Sequence, residues 1–217
     1  LSLLDLLFPP RCAGCHAYGS PWCSACQASL EPIPTAEVAG VPLVAGGRFA
    51  GPLKLAIHTY KYGGRKALAR ELTRPLLLAI GQSGLQPQAL AFVPLHAERE
   101  RQRGFNQAQQ IALELGKALG VPVIDGLRRV RPTPAQVGLS QVERQENVVG
   151  AFNWAGGRPA PRQLAVVDDV CTTGATLQAA AEAIREAGGS LTAFLVLARA
   201  QTFTPAAVTS RGQPACP

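Results

Sequence analysis

Residues 163–184, QLAVVDDVCTTGATLQAAAEAI, limit the fold more than any other stretch of this chain. An apolar run leads into two adjacent acids, Asp168 and Asp169, and then into Thr172, Thr173, Gly174, Ala175 and Thr176. After the turn, Leu177, Ala180, Ile184 and Ala187 recur at helical spacing. In an open α/β sheet, ligands bind beyond the carboxyl ends of strands, where a helix N-terminus offers unpaired amides and a positive dipole end to an anion. The order strand, acids, turn, helix therefore predicts a phosphate site at residues 172–176. Gly174 permits close backbone approach and the threonines add hydroxyl donors. The lysine of a P-loop is missing, and the glycines at 46, 47 and 51 are wrongly spaced for a dinucleotide fingerprint. A single phosphate monoester suits the turn better, with the two carboxylates accepting from vicinal sugar hydroxyls: a ribose 5-phosphate held at both ends. The alternative is that Asp168 and Asp169 merely cap a turn.

The rest of the chain follows the same rhythm. Strands are expected at 41–49, 89–94, 164–168 and 191–198. Helices are expected at 52–60, 65–80, 106–119 and 176–187, the second bent or broken at Pro75 for want of an amide donor. Asn106 and Gly120 mark the ends of the third helix as N-cap and C-cap. Alternating strands and helices predict a mostly parallel sheet flanked by helices. With 217 residues, 47% of them hydrophobic and 16% charged, the chain can bury one fair-sized core plus a small appendage. The expected division is a zinc-binding segment at 1–34, an α/β domain at 35–200 and a poorly ordered tail at 201–217. The most apolar stretch, 75–95, is interrupted by Gln82, Ser83, Gln86 and Gln88, and residues 1–10 lack a basic start and a cleavage site, so the chain reads as cytoplasmic. Its net charge of +7 points to anionic partners.

Four of the six cysteines lie near the start as Cys12-x2-Cys15 and Cys23-x2-Cys26. Two such knuckles supply four thiolates, enough to close a tetrahedral zinc site with no open position for catalysis. Disulfides are the alternative, and a reducing compartment argues against them. Cys171, inside the turn, reads as a small filler.

VVDDVCTTGAT closely resembles the phosphoribosyl pyrophosphate (PRPP) motif of type I phosphoribosyltransferases. Together with KYGGRKALA (61–69), VPLHAERERQRGFNQAQQIA (93–112), LRRVRPTPAQVGLSQVERQENVVGAF (127–152) and the paired cysteines, it resembles the ComF family, linked to bacterial competence and DNA uptake. The resemblance implies a type I phosphoribosyltransferase-like fold, with Asp168 and Asp169 on the ribose hydroxyls and Thr172, Thr173, Gly174, Ala175 and Thr176 on the 5-phosphate. Arg99, Arg101 and Arg103, in the loop after Pro94, would face the pyrophosphate, which Mg²⁺ would accompany. Their guanidinium forks suit phosphate oxygens, although a mixed charge run such as 96–104 can equally be a solvated loop. Residues 127–147 lack an apolar period and are expected to form a hood over the site or an ordinary insertion. No residue stands out as a catalytic base and no acceptor is named. Two roles remain open: transfer of a phosphoribosyl group, or a PRPP-sensing or single-stranded-DNA-binding module working with the competence machinery. The basic surface expected to touch DNA comprises Lys61, Arg65, Lys66 and the run Arg128 to Arg131, although aromatic residues to stack on bases are only 6%.

Overall fold

The computed structural model describes residues 9–130, 150–156 and 159–200. In chain order the first half contains α1 (Ser24–Ala28), β1 (Ala36–Val38), β2 (Val41–Ala45), α2 (Gly51–Tyr62), α3 (Leu68–Ser83) and β3 (Ala89–Phe92). The second contains α4 (Ala97–Arg103), α5 (Gln107–Leu119), β4 (Val123–Ile124), β5 (Leu127–Arg129), β6 (Phe152–Trp154), β7 (Leu164–Cys171), α6 (Ala175–Glu186) and β8 (Leu191–Arg199). The expected tail at 201–217 and most of the expected hood, from residue 131 onward, lie outside the described residues.

Six strands form one sheet in the order β1-β2-β8-β7-β3-β4. All neighbours pair in parallel except β1, which folds back antiparallel on β2. Strands buried on both faces read as continuous apolar runs, and residues 164–167 of β7 and 193–198 of β8 at the centre do so. Ala165, Val167, Leu195 and Leu197 enter the core with α2, α3 and α5, whereas Leu164, Val166, Phe194 and Val196 face α6 and the antiparallel pair β5 and β6. A mostly parallel sheet flanked by helices is the architecture the alternation predicted.

Three local expectations need correction. The helix at Pro75 is neither ended nor divided: α3 runs through it, because Leu68, Leu72, Leu76 and Ile80 all bury against the core. That anchoring outweighs one missing backbone bond, and Gly46 brings the sheet so close that a Cβ there would sit 3.0 Å from the Leu76 amide. The segment 96–104 is no loop but the short helix α4, stopped by Gly104 at φ 74°. Its run of Ala, Glu, Gln and Arg is made of good helix formers, with acids in the first turn and arginines in the last to match the helix dipole. Finally, β7 continues to Cys171 rather than stopping at Asp168, since β8 keeps pairing as far as Cys171 with Arg199. Both acids thus stand on the strand itself.

Helix α5 starts and stops where its caps predict. The Asn106 side chain accepts from the Gln109 amide at 3.3 Å and donates to the Val93 carbonyl at 3.1 Å, so one buried residue caps the helix and ties it to the exit of β3. The cysteine-bearing segment packs on α2: Cys12, Ala13, Trp22 and Cys26 share a core with Leu53, Ala56, Ile57 and Tyr60, and Arg65 donates to the Arg11 carbonyl at 2.9 Å.

Candidate functional site

At the carboxyl end of β7 the chain turns through Gly174, whose φ of 84° lies in the left-handed region that glycine tolerates best, and enters α6. Asp168 accepts from the Asp169 amide at 2.8 Å. Thr173 folds into the turn, its hydroxyl oxygen accepting from the Ala175 amide at 3.4 Å. Thr172 and Thr176 instead line a cavity of about 260 Å³ together with Asp168 and Asp169.

The cavity collects residues that are far apart in sequence. Arg99 and Arg103 come from α4, Lys61 from α2, Arg129 from β5, and Phe49 and Leu95 add apolar wall. Arginines four apart share one helix face, so Arg99 and Arg103 reach the cavity while Arg101, between them, is exposed and does not line it. Of the expected pyrophosphate arginines, two therefore belong to the cavity. Arg103 donates to the Gln107 amide oxygen at 2.8 Å and stacks over Tyr62. Among the lining residues four cations face two carboxylates, a surplus that favours an anionic ligand. A second cavity, lined by Leu30, Ile33, Pro75 and Leu78, holds only Arg74 as a charged group and has no comparable chemistry.

Burial pushes the Asp168 carboxyl up to about 7; the neighbouring Asp169 charge pushes the same way, against the Asp169 amide, Lys61 and Arg129. Arg129 is drawn below its usual range by burial and by Arg99, while Asp168 supports its charge. Cys171 is buried, its thiol pushed up to about 12, which fits a packing role and not a nucleophile.

The basic surface expected to meet DNA is dispersed. Lys61 turns inward and pairs with Asp169 at 2.8 Å, Arg129 lines the cavity and Arg128 pairs with Asp125. Lys66 lies over the Phe105 ring, and Arg65 holds the cysteine segment. Lys61 and Arg129 are the site residues that sequence reasoning placed elsewhere. Only the three-dimensional meeting of α2, β5 and β7 brings them together.

The four N-terminal cysteines converge, their sulfurs all within 4.8 Å of one another. Cys12 and Cys26 are 3.7 Å apart and Cys15 and Cys23 are 3.6 Å apart. A tetrahedron with zinc–sulfur bonds near 2.3 Å has edges of about 3.8 Å, whereas a disulfide would need about 2 Å. Burial opposes ionisation of Cys12, yet the amides of Cys23, Cys15 and Gly14 outweigh it and bring that thiol down to about 6. Burial and the neighbouring sulfurs push the Cys26 thiol the other way, so it is the convergence of the four sulfurs, not their titration, that fits structural zinc.

Comparison with known proteins covers the cysteine segment and most of the remaining chain. Residues 3–48 match the double zinc ribbon domain. Competence protein F of Haemophilus influenzae is 31% identical over 194 residues, 82% of this chain and 85% of its own length. The chain belongs to the competence protein F family. A second relative, the DNA utilization protein YhgH of Salmonella typhimurium, is 32% identical over 199 residues, 88% of this chain and 83% of its own. Among solved structures, an orotate phosphoribosyltransferase from Aeropyrum pernix aligns over 61% of this chain and 70% of its own at 19% identity, with a TM-score of 0.35, a likeness too slight to argue from. No helix among the described residues of this family member is long and apolar enough to cross a membrane.

Proposed function

We propose that the cavity binds PRPP, or ribose 5-phosphate, and that the chain transfers the phosphoribosyl group to an acceptor in the handling of DNA during competence. One observation carries this reading: Asp168 and Asp169 enter the same cavity as Thr172 and Thr176 at the head of a helix, facing Lys61, Arg99, Arg103 and Arg129. The amides and hydroxyls of residues 172–176 hold the 5-phosphate. Asp168 and Asp169 accept from the ribose hydroxyls, and the arginines take the diphosphate, where bidentate donors serve best. On transfer, the bond from the sugar carbon to the diphosphate breaks and the diphosphate leaves with the electron pair. The acceptor bonds to that carbon and gives up its proton. Prepositioned cations stabilise the charge growing on the leaving group, so positioning and electrostatics do more than a strong base.

The cavity also fits Mg²⁺ delivered with the ligand. In the free protein Lys61 holds Asp169, so Asp168 is the carboxylate open to an arriving Mg²⁺, which is commonly held by one or two carboxylates with substrate phosphates and water. Bound there it would neutralise the diphosphate and so assist its departure.

The test is a screen of PRPP-dependent pyrophosphate release against nucleobases, amines and single-stranded nucleic acid. Release with one acceptor class supports transfer. PRPP binding without release in any mixture shifts the reading to a ligand-sensing module.

A second reading, direct binding of single-stranded DNA, rests on a different observation. Phe49 stacks on His58 with centroids 6.3 Å apart, His58 meets Tyr62 at 5.9 Å, and Lys54 and Arg103 lie over the two ends of this row. Tyr62 is 69% exposed. A row of rings running from half-buried Phe49 in the cavity wall to exposed His58 and Tyr62, with a cation over each end, suits bases and phosphates, and this row replaces the dispersed basic surface as the place to look. Affinity for single strands should then fall by about 0.7 log per log of salt for each phosphate neutralised.

A further inference from the structure

Lys61 stands in the last turn of α2, where a cation is favoured by the helix dipole. Its neighbours fix the direction of its side chain. Tyr60 is fully buried, donating to the Gln107 carbonyl at 3.0 Å and packing on Phe105, while Tyr62 on the other side is exposed beneath Arg103. Between them, Lys61 reaches inward to Asp169 at 2.8 Å, with side-chain exposures of 18% and 13% for the lysine and the acid. Neither charge is well hydrated, so each depends on a partner.

Asp169 therefore already has a charged donor where a sugar hydroxyl would have to donate. An ammonium on a flexible four-carbon stem can change partners, and a diphosphate offers it more negative charge than the carboxylate does. We infer that Lys61 is an exchange residue of the site: it holds Asp169 in the free protein and moves to the diphosphate when ligand enters, releasing Asp169 to the ribose. This rests on the reading of the cavity as a PRPP site. The 5-phosphate has its own donors in the turn at 172–176, so Lys61 should discriminate for the diphosphate ester over the simple monoester.

The experiment is calorimetry on the full, zinc-loaded chain with Mg²⁺, using PRPP, ribose 5-phosphate and inorganic pyrophosphate as separate probes. Lys61→Met should weaken PRPP and pyrophosphate roughly ten- to a hundredfold, the range for losing one hydrogen bond to a charged group. Ribose 5-phosphate should change by less than about threefold, because it lacks the diphosphate that Lys61 would hold and its sugar meets an unblocked Asp169. Lys61→Arg should restore most of the pyrophosphate affinity by keeping the charge. The double variant Lys61→Met with Asp169→Asn removes the uncompensated buried acid, and pyrophosphate binding should remain weak in it. If Lys61 only props up Asp169, ribose 5-phosphate will suffer as much as PRPP, or the double variant will regain pyrophosphate binding. Either result overturns the proposal while leaving the PRPP site intact. If the wild type binds neither PRPP nor ribose 5-phosphate, the reading of the cavity falls and this role for Lys61 falls with it.

Discussion

The cysteine cluster and the phosphate-turn cavity were built in opposite ways. All four sulfurs come from the short stretch between Cys12 and Cys26, and they satisfy one another's geometry as a closed set. The cavity takes its groups from α2, α4, β5 and the β7–α6 turn, and it carries more positive charge than its own acids neutralise. The first is complete with a metal and leaves no position for chemistry. The second has positive charge left over that an anion would balance. A closed local set fixes structure, and an open set gathered from distant elements is free to bind and release.

The comparison breaks most visibly if the cluster is not structural. Removing zinc with a chelator, or replacing Cys26 by Ser, should cost on the order of several kcal/mol, because metal binding at such sites is folding free energy. Since Cys12, Trp22 and Cys26 share a core with Ile57 and Tyr60, the loss should spread to α2. Metal analysis and hydrogen exchange would show it as a zinc-dependent opening of residues 51–62. Zinc-free protein with unchanged exchange there, or disulfides in place of the metal, would contradict the assignment.

The next effect belongs to the turn. Gly174→Val forces a β-branched residue to φ 84°, distorting the turn and obstructing phosphate approach, so ligand affinity should fall by about a hundredfold or more. Binding of ribose 5-phosphate measures it, and the zinc content should not change.

A smaller effect separates the cavity's acids from structural ones. Asp168 has its carboxyl raised to about 7 by burial, above its ordinary value near 4. Between those two values the folded state holds a proton that the unfolded state has lost, so this group's contribution to stability falls as pH rises from about 4 to 7. Asp168→Asn should flatten that decline and stabilise the protein at pH 8 by on the order of 1 kcal/mol after allowing for partial exposure, roughly 2–4 °C in Tm. Thermal melts across pH would show a site that gives up stability for binding. A variant less stable than wild type at pH 8 would mean that the carboxylate is structural.

The last effect is confined to the outer rim. Tyr62→Ala should reduce single-strand affinity by about 1 kcal/mol, the low end for one stacked base because the ring lies open to solvent, with little change in PRPP binding. Filter binding at two salt concentrations separates it from a purely electrostatic contact.

How much of each region was legible follows from how it is built. The cysteine spacing and the stretch around Asp168 and Thr176 are contiguous, so their chemistry could be read in order. Asn106 and Gly120 were equally plain, because caps act on their immediate neighbours. Lys61 and Arg129 were not, since nothing local tells an inward lysine from a solvated one. Arg99 and Arg103 were found but grouped with Arg101, because a charge run hides the helical period that turns the middle residue away. Pro75 misled for the converse reason: a local penalty was outweighed by the four apolar anchors on either side of it.

The central claim is that Asp169 and the turn after it form a PRPP site, and calorimetry with PRPP and Mg²⁺ on the zinc-loaded wild type and on Asp169→Ala tests it most directly. The account predicts saturable, one-site binding to the wild type and at least about tenfold weaker binding to the variant, as expected when a charged hydrogen-bond acceptor for the sugar is removed. No binding to the wild type, or equal affinity in both proteins, would contradict it.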